Sequence, residues 1–411
     1  MNTNKQGTSA SRRNFLKGGL QAVGGLAVVV SGGVVYQAFD EDIFSPFDGP
    51  AYEPWHNWKT EPLSGSLALV QMAILAASPH NTQPWRFRVT DNRIELFADL
   101  QRNLGTMDPF RREMWIGFGC ALENIALAAP IHGFNASIVV TSGALPEQPA
   151  DEGILLVAVV TLSDAGETLP TAENQALFAA IPQRHTDRSP YQRERSIPEP
   201  LQQAFAEIAA SMGARLDLFD LGSGRPAFDS LMNDATQAII DDPAMVADSQ
   251  RWFRSTNEAI QTHRDGPTLS AAGLPSAVTL LAKIFPDPSA HTAHQMWADA
   301  TRDQQLASAP ATGTISIGDR YSKHDNVVAG RIWQRCHLLA TTVGLSMQPM
   351  NQPLEWADRL HQLAQSNVAL ERLSNLIDSR QWQPTFSFRM GFPTAAAPVS
   401  PRRSVQDCLV S

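Results

Sequence analysis

The spacing of apolar positions changes along this chain, and each change predicts an element. Leu67–Ala77 is apolar with helical spacing. After a polar loop, Arg86-Phe87-Arg88-Val89 and Arg93-Ile94-Glu95-Leu96-Phe97 alternate apolar and polar residues, and the turn through Asp91-Asn92 predicts a hairpin. Met114–Ile131 reads as a long buried helix, and Ala136–Thr141 and Leu155–Leu162 read as strands. Further on, Asn174–Ile181 and Leu201–Met212 predict helices, Arg215–Phe219 a strand, Ala329–Val343 a second long helix and Phe386–Phe392 a final strand. Asp241–Pro288 holds helical patterns broken at Gly266-Pro267 and Phe285-Pro286, which suits an inserted lid at about 241–288. Asp40–Lys59 is rich in Pro, Trp and acids without periodicity, as in an extended linker or wrapping arm. Helices mixed with hairpin strands indicate an α+β fold.

The two long helices share a spacing. Gly119, Leu127, Ala129 and Gly133 recur as Gly330, Leu338, Ala340 and Gly344, with offsets of 8, 10 and 14 in both sets. Each set ends at a glycine, the usual residue just past a helix C-terminus. Strand Arg93–Phe97 also matches Arg215–Phe219 in character. Four small or apolar matches also arise by chance. Taken as a repeat, they divide the chain into two pseudo-symmetric tandem units, 39–170 and 171–411, each a mostly antiparallel sheet flanked by helices.

Composition bounds the function. The 411 residues are 43% hydrophobic and 18% charged, ordinary globular material with enough apolar content for a sizeable core. Net charge is −9, and residues 1–38 contribute only cations, so the rest is more acidic still. That argues against nucleic acid, which needs a basic face. Cys120, Cys336 and Cys408 are far apart and form no C-x-x-C, so neither a disulfide framework nor a cysteine zinc site is expected. His291 and His294 have a spacing that can ligate metal on a helix, but no third ligand stands near, and no metal site is assigned. Gly222-Ser223-Gly224-Arg225 lacks a clear helix start and reads as a loop. Ser11-Arg12-Arg13-Asn14-Phe15-Leu16-Lys17, followed by an apolar run from Gly18 to about Ala38, resembles a twin-arginine export signal. It implies export by that machinery in the folded state, to the periplasm or the outer face of the membrane. Cleavage and retention of 18–38 as an anchor both stay open.

Three segments carry candidate chemistry. The first is Ser78-Pro79-His80-Asn81-Thr82-Gln83-Pro84-Trp85. Its prolines stiffen a short loop whose Ser, Asn and Gln offer donors and acceptors. That suits the polar edge of a flat heteroaromatic ligand; the plainer reading is a turn with a buried Trp. The second is Arg184-His185-Thr186-Asp187-Arg188, where two guanidiniums, an imidazole and a hydroxyl suit a phosphate. A solvated charged turn is the plainer reading. The third is Pro401-Arg402-Arg403 near the C-terminus, a phosphate contact or a solvated basic tail.

The first loop resembles the S-P-x-N-x-Q-P-W loop of nitroreductase-type flavoproteins, and Arg184-x-Thr186-x-Arg188 resembles their R-x-S-x-R phosphate motif with Thr for Ser. The loop occurs only in the first half, and the arginine motif and terminal arginines only in the second. Complementary losses of this kind resemble the fused, internally duplicated Acg-type family, single chains that resemble a nitroreductase dimer. The resemblance implies FMN as cofactor and a monomer that mimics a dimer. Ser78, Pro79, Asn81 and Gln83 would face the ring or ribityl, and Arg184, Thr186, Arg188, Arg402 and Arg403 the phosphate, with His185 serving either. Gly344 and Gln348, on a loop after the second long helix, would lie near the ring, or Gly344 is simply a helix cap. No catalytic side chain is assigned, because flavin carries the redox chemistry between a small-molecule electron donor and acceptor. The implied activity is reduction of nitro-aromatics, quinones or similar acceptors. Export and a lid favour a second reading, a flavin-sequestering protein with little turnover. A scaffold that binds no flavin is a third.

Overall fold

The computed structural model describes residues 47–167, 169–222, 224–273, 279 and 289–410. The twin-arginine motif and the apolar run after it lie outside the described residues.

Two four-stranded antiparallel sheets form the framework. The first holds β1 (Trp85–Thr90), β2 (Arg93–Asp99), β3 (Phe134–Val140) and β4 (Ile154–Asp164) in the order β1-β2-β4-β3. The second holds β5 (Arg215–Asp220), β6 (Ala311–Ile317), β7 (Ser346–Pro349) and β8 (Gln383–Gly391) in the order β5-β6-β8-β7. The two orders are the same. The second strand of each sheet also carries a register shift against the fourth, at Leu96/Phe97 in one and Ile315/Ser316 in the other. In each unit one 20-residue helix follows the second strand: Arg112–Ile131, the first core helix, and Lys323–Thr342, the second. The fold is thus α+β, two tandem units of like topology. One continuous apolar core runs through both, from Trp85 and Phe118 to Trp333 and Phe388.

The core helices meet at the glycines of the repeat. A Cβ on Gly119 would stand 2.8 Å from the Cα of Gly330 and against the Val327 carbonyl; a Cβ on Gly330 would stand 2.9 Å from the Cα of Gly119 and against the Ile116 carbonyl. Backbone cannot yield as a side chain can, so only glycine fits on both sides. Buried polar pairs then fix the crossing. Glu123 accepts from Arg331 Nε at 2.8 Å and Arg335 Nε at 2.7 Å, and Gln334 Nε2 donates to Asn124 Oδ1 at 2.8 Å. Gly133 and Gly344, which close the two helices, have φ of 78° and 72°, the left-handed cap conformation.

A second seam lies near the start of the first core helix. The Asp108 carboxylate accepts from the N–H groups of Glu113 and Met114 at 3.1 and 3.0 Å. The fully buried Asp358, from the second unit, bonds Arg112 Nε at 2.6 Å and Arg320 at 2.7 Å. Burial pushes the Asp358 carboxyl up, but Arg112 and Arg320 prevail and hold it below the usual range. Glu355 has no bonded arginine among the described residues, and burial raises it to about 8 against the pull of Arg112. Glu113 is raised by burial and then by Glu355.

Several expectations are corrected. Strand Arg215–Phe219 matches Arg93–Phe97 in pattern but not in position: β5 occupies the place of β1. Alternation reports one covered face, not rank within a sheet. The stretch read as an extended arm contains a helix, Pro54–Thr60, opened by a proline at its first turn. A helix, Arg225–Ile240, does start directly after Gly224, and Arg225 bonds Asp229 at 2.6 Å and the Ala309 carbonyl at 2.8 Å.

Replacing Gly119 or Gly330 by Ala is expected to lower unfolding free energy by about 1–3 kcal/mol each. Gly222→Ala, whose Cβ would meet only Asp220 at 3.4 Å, is the near-neutral control in denaturant melts. Glu355 binds its proton more tightly folded than unfolded, so its contribution is complete below its ordinary value of 4.5 and is lost as pH rises through about 8. Glu355→Gln is therefore expected to gain stability relative to wild type as thermal melts are moved from about pH 5 to about pH 8; a constant difference would contradict the assignment.

Candidate functional site

The loop after the helix Ser66–Ala73 is held in an uncommon conformation. His80, Asn81 and Gln83 have φ of 44°, 53° and 49°, left-handed values that cost energy unless the surroundings impose them. Ser78 Oγ accepts from the Gln83 N–H at 3.0 Å, and Pro79 lies against Gly117 of the first core helix, where an added Cβ would be 3.2 Å from the proline ring.

The C-terminal tail of the second unit is built onto this loop. Asn81 Nδ2 donates to the Pro401 carbonyl at 2.9 Å, and Arg402 donates to Asn81 Oδ1. The Arg403 N–H donates to Gln83 Oε1 at 2.8 Å and its guanidinium to the Gln83 carbonyl at 3.1 Å. Arg184 joins from the other side. Its guanidinium donates to the Leu75 carbonyl at 3.1 Å, while Arg402 donates to the next carbonyl, Ala76, at 3.3 Å. Arg402 also lies 4.7 Å over the ring of Trp55, which in turn stands 4.5 Å from the ring of His185.

The electrostatics of this cluster are unusual. Arg184 and Arg402 are 1% and 4% exposed, and among the described residues neither has a carboxylate partner. The Nε of each is buried without any partner. Burial lowers Arg184 to about 10, and burial together with the charge of Arg184 lowers Arg402 well below its usual value. His185 is held to about 3 by burial, then by Arg184 and Arg402, so it stays neutral. A buried, uncompensated cation costs several kcal/mol. Two side by side therefore call for an anion.

Arg188 sits apart from that pair. It donates to the Ala271 carbonyl at 3.2 Å, and its charge, after burial, helps lower His80 to about 4. Thr186 pairs through its backbone with Met347. Gln348 is buried and tied to Arg389 Nε at 2.6 Å and Gln305 at 3.0 Å. Gly344 is exposed at the helix end with nothing within 4 Å of an added Cβ. The structure thus brings together Ser78, Pro79, Asn81, Gln83, Arg184, His185, Arg402 and Arg403, places Arg188 beside His80, and leaves Gly344 outside.

Part of the second unit lies over the loop. Gly266 exchanges two bonds with Asn81, at 3.2 and 3.3 Å, and Gln83 Nε2 donates to the Arg264 carbonyl at 2.8 Å. His80 Nε2 stands 2.9 Å from Ser249 Oγ. Asp265, 2% exposed, is gripped by Arg254 of its own segment at 2.7 Å and by Arg102 at 2.7 Å, the second of which ties this segment to the first unit.

Sequence reasoning passed over Trp55 and His80. Trp55 sits in an aperiodic stretch, and His80 is the variable position of its motif. Only the proximity of His80 to residues already chosen was a usable signal.

No family model matches the chain. A Mycobacterium tuberculosis (strain H37Rv) protein named "Putative NAD(P)H nitroreductase Rv3131" is 30% identical over 295 residues, covering 70% of this chain and 76% of the relative. Another from that strain, "Putative NAD(P)H nitroreductase acg", is 32% identical over 122 residues, 30% of this chain and 34% of the relative. Among solved structures, the FMN-dependent nitroreductase NfnB of Mycobacterium smegmatis in complex with NADPH aligns with 14% identity and a TM-score of 0.36, covering 57% of this chain and 96% of that one. A Desulfitobacterium hafniense nitroreductase with bound FMN aligns with 16% identity and a TM-score of 0.34, covering 57% and 97%. The long alignment to the first mycobacterial relative decides the kinship: this chain belongs to the nitroreductase-like family.

Proposed function

We propose that this nitroreductase-like oxidoreductase binds one FMN between its two units and reduces nitro-aromatic, quinone or similar acceptors. The observation that carries the reading is the pair Arg184 and Arg402, two buried guanidiniums without a carboxylate partner among the described residues. They would hold the phosphate, with His185 and Trp55 closing the cluster and Arg403 bracing Gln83. Ser78, Asn81 and Gln83 supply amide and hydroxyl groups for the polar edge of the flavin. Bound FMN would supply the two-electron chemistry. The chain's own part is to bury the phosphate charge, orient the ring and limit water.

The expected lid, about 241–288, lies partly outside the described residues, and its described part, 241–273, is proposed as the lid. Its contacts through Arg264, Gly266 and Asp265 favour a second reading, in which the flavin is sequestered and little turnover occurs. The like topology of the units suggests an internal duplication whose product works as a single chain. Export in the folded, flavin-loaded state by the twin-arginine route would place the protein outside the cytoplasm, where the electron donor would differ from NAD(P)H.

Arg184→Ala and Arg402→Ala are each expected to weaken FMN binding at least about tenfold, a loss of roughly 1.4 kcal/mol, as read by quenching of flavin fluorescence. Arg302→Ala, which removes an exposed arginine paired with Asp299 and Asp303, should leave it unchanged. Equal affinity in all variants would remove the phosphate assignment. NADPH-driven reduction of a nitrofuran by the loaded protein separates turnover from sequestration.

Asp265→Asn is expected to speed limited proteolysis within 243–273 and the exchange of bound FMN by several-fold. Unchanged rates would show that the pair with Arg102 does not hold the segment down.

A further inference from the structure

Residues 400–410 belong to the second unit and lie along the first. The Arg402 N–H donates to the Ala51 carbonyl at 2.7 Å, Trp55 Nε1 to the Ser400 carbonyl at 2.8 Å and Asn81 Nδ2 to the Pro401 carbonyl at 2.9 Å. Farther on, Arg86 donates to the Asp407 carbonyl at 3.0 Å and the Val410 N–H to the Phe87 carbonyl at 2.8 Å. Leu409 and Phe87 pair in parallel, so the stretch ends as an added partner at the outer strand of the first sheet. Val405 and Cys408 are buried along the way.

One residue of this strap opposes its docking. Arg402 enters beside Arg184: the two guanidiniums donate to the consecutive carbonyls of Ala76, at 3.3 Å, and Leu75, at 3.1 Å. Both are buried, the Nε of each is unpartnered, and neither has a carboxylate partner among the described residues. The strap's own acid, Asp407, is engaged by Arg264 at 3.2 Å and by the Ser404 N–H at 3.0 Å. The face of Trp55, 4.7 Å from Arg402, offsets only part of the charge. The bonds that fasten the strap are mostly between neutral groups and individually modest, while a second like charge brought out of water is costly. An anion that bonds both guanidiniums turns that opposition into attachment, because it joins a residue of the strap to a residue of the body.

We infer that docking of the strap 400–410 and binding of a terminal phosphate at Arg184 and Arg402 are one linked equilibrium, in which the phosphate fastens the strap and the fastened strap slows the ligand's escape. The inference rests on the flavin reading above and concerns how the ligand is retained. Linkage is reciprocal: whatever loosens the strap far from the arginines also loosens the ligand. Val410 offers such a place. Leu409, with φ −77° and ψ 144°, already has the backbone that precedes proline, so Val410→Pro removes the N–H bonded to Phe87 and touches neither arginine.

Hydrogen–deuterium exchange of the full chain is followed by mass spectrometry over peptides spanning 401–410. The chain is measured alone, with FMN, and with riboflavin, which carries the same ring and ribityl chain without the phosphate. At about a hundredfold FMN over its dissociation constant, exchange in 401–410 is expected to slow at least about tenfold, and saturating riboflavin should leave it unchanged. Val410→Pro should speed FMN dissociation several-fold, read by recovery of flavin fluorescence on dilution, with exchange in the core helix Arg112–Ile131 unaltered. FMN that binds, by fluorescence, yet leaves 401–410 exchanging as fast as before overturns the inference and keeps the flavin reading. Equal protection by riboflavin overturns the phosphate as the fastener. Failure of FMN to bind removes the flavin reading and the inference with it. The wild-type comparison decides the matter even where Val410→Pro fails to fold.

Discussion

The close passage of two helices at Gly119 and Gly330 is the constraint on which this molecule depends. Each glycine lies against the backbone of the opposite helix, so the units approach as closely as two main chains permit. Because the loop at 78–83 packs on one core helix and the Arg184 segment on the other, that approach sets how near Asn81 and Arg184 come. Side chains added at the crossing would move both walls of the site at once.

Charge is distributed with an asymmetry that fits this division. At the seam near Asp108, four buried carboxyl groups share two arginines, and burial raises Asp108, Glu113 and Glu355 above their usual range while the arginines hold Asp358 below it. At the loop, Arg184 and Arg402 hydrogen-bond only carbonyls and an amide among the described residues. The first arrangement is complete in itself. The second is stable only because carbonyl dipoles and ring faces partly replace water around the cations, and it leaves a positive potential for a ligand.

Much of the framework was legible because periodicity is set by burial. The hairpin, both core helices and the glycine spacing were all visible as patterns. β6 was not: Ala311-Thr312-Gly313-Thr314-Ile315-Ser316-Ile317 is buried on both faces, so no alternation marks it. The polar loop and the arginine segment were legible as motifs, since their residue types are unusual together. Their partners were not. Trp55 acquires meaning only from neighbours over a hundred positions away, the ring of His185 and the guanidinium of Arg402.

Joining both units in one chain has a consequence at the crossing. Two identical subunits around a twofold axis would have to place the same residue on each side of it. Here Glu123 stands four residues past Gly119, and the corresponding place past Gly330 is taken by Gln334, with arginines at 331 and 335. Arg331 and Arg335 stand where the first helix has Cys120 and Asn124, so a self-paired copy of that helix would leave Glu123 without a facing cation. Covalent linkage lets the two core helices differ at their crossing, and each is complementary to its neighbour there.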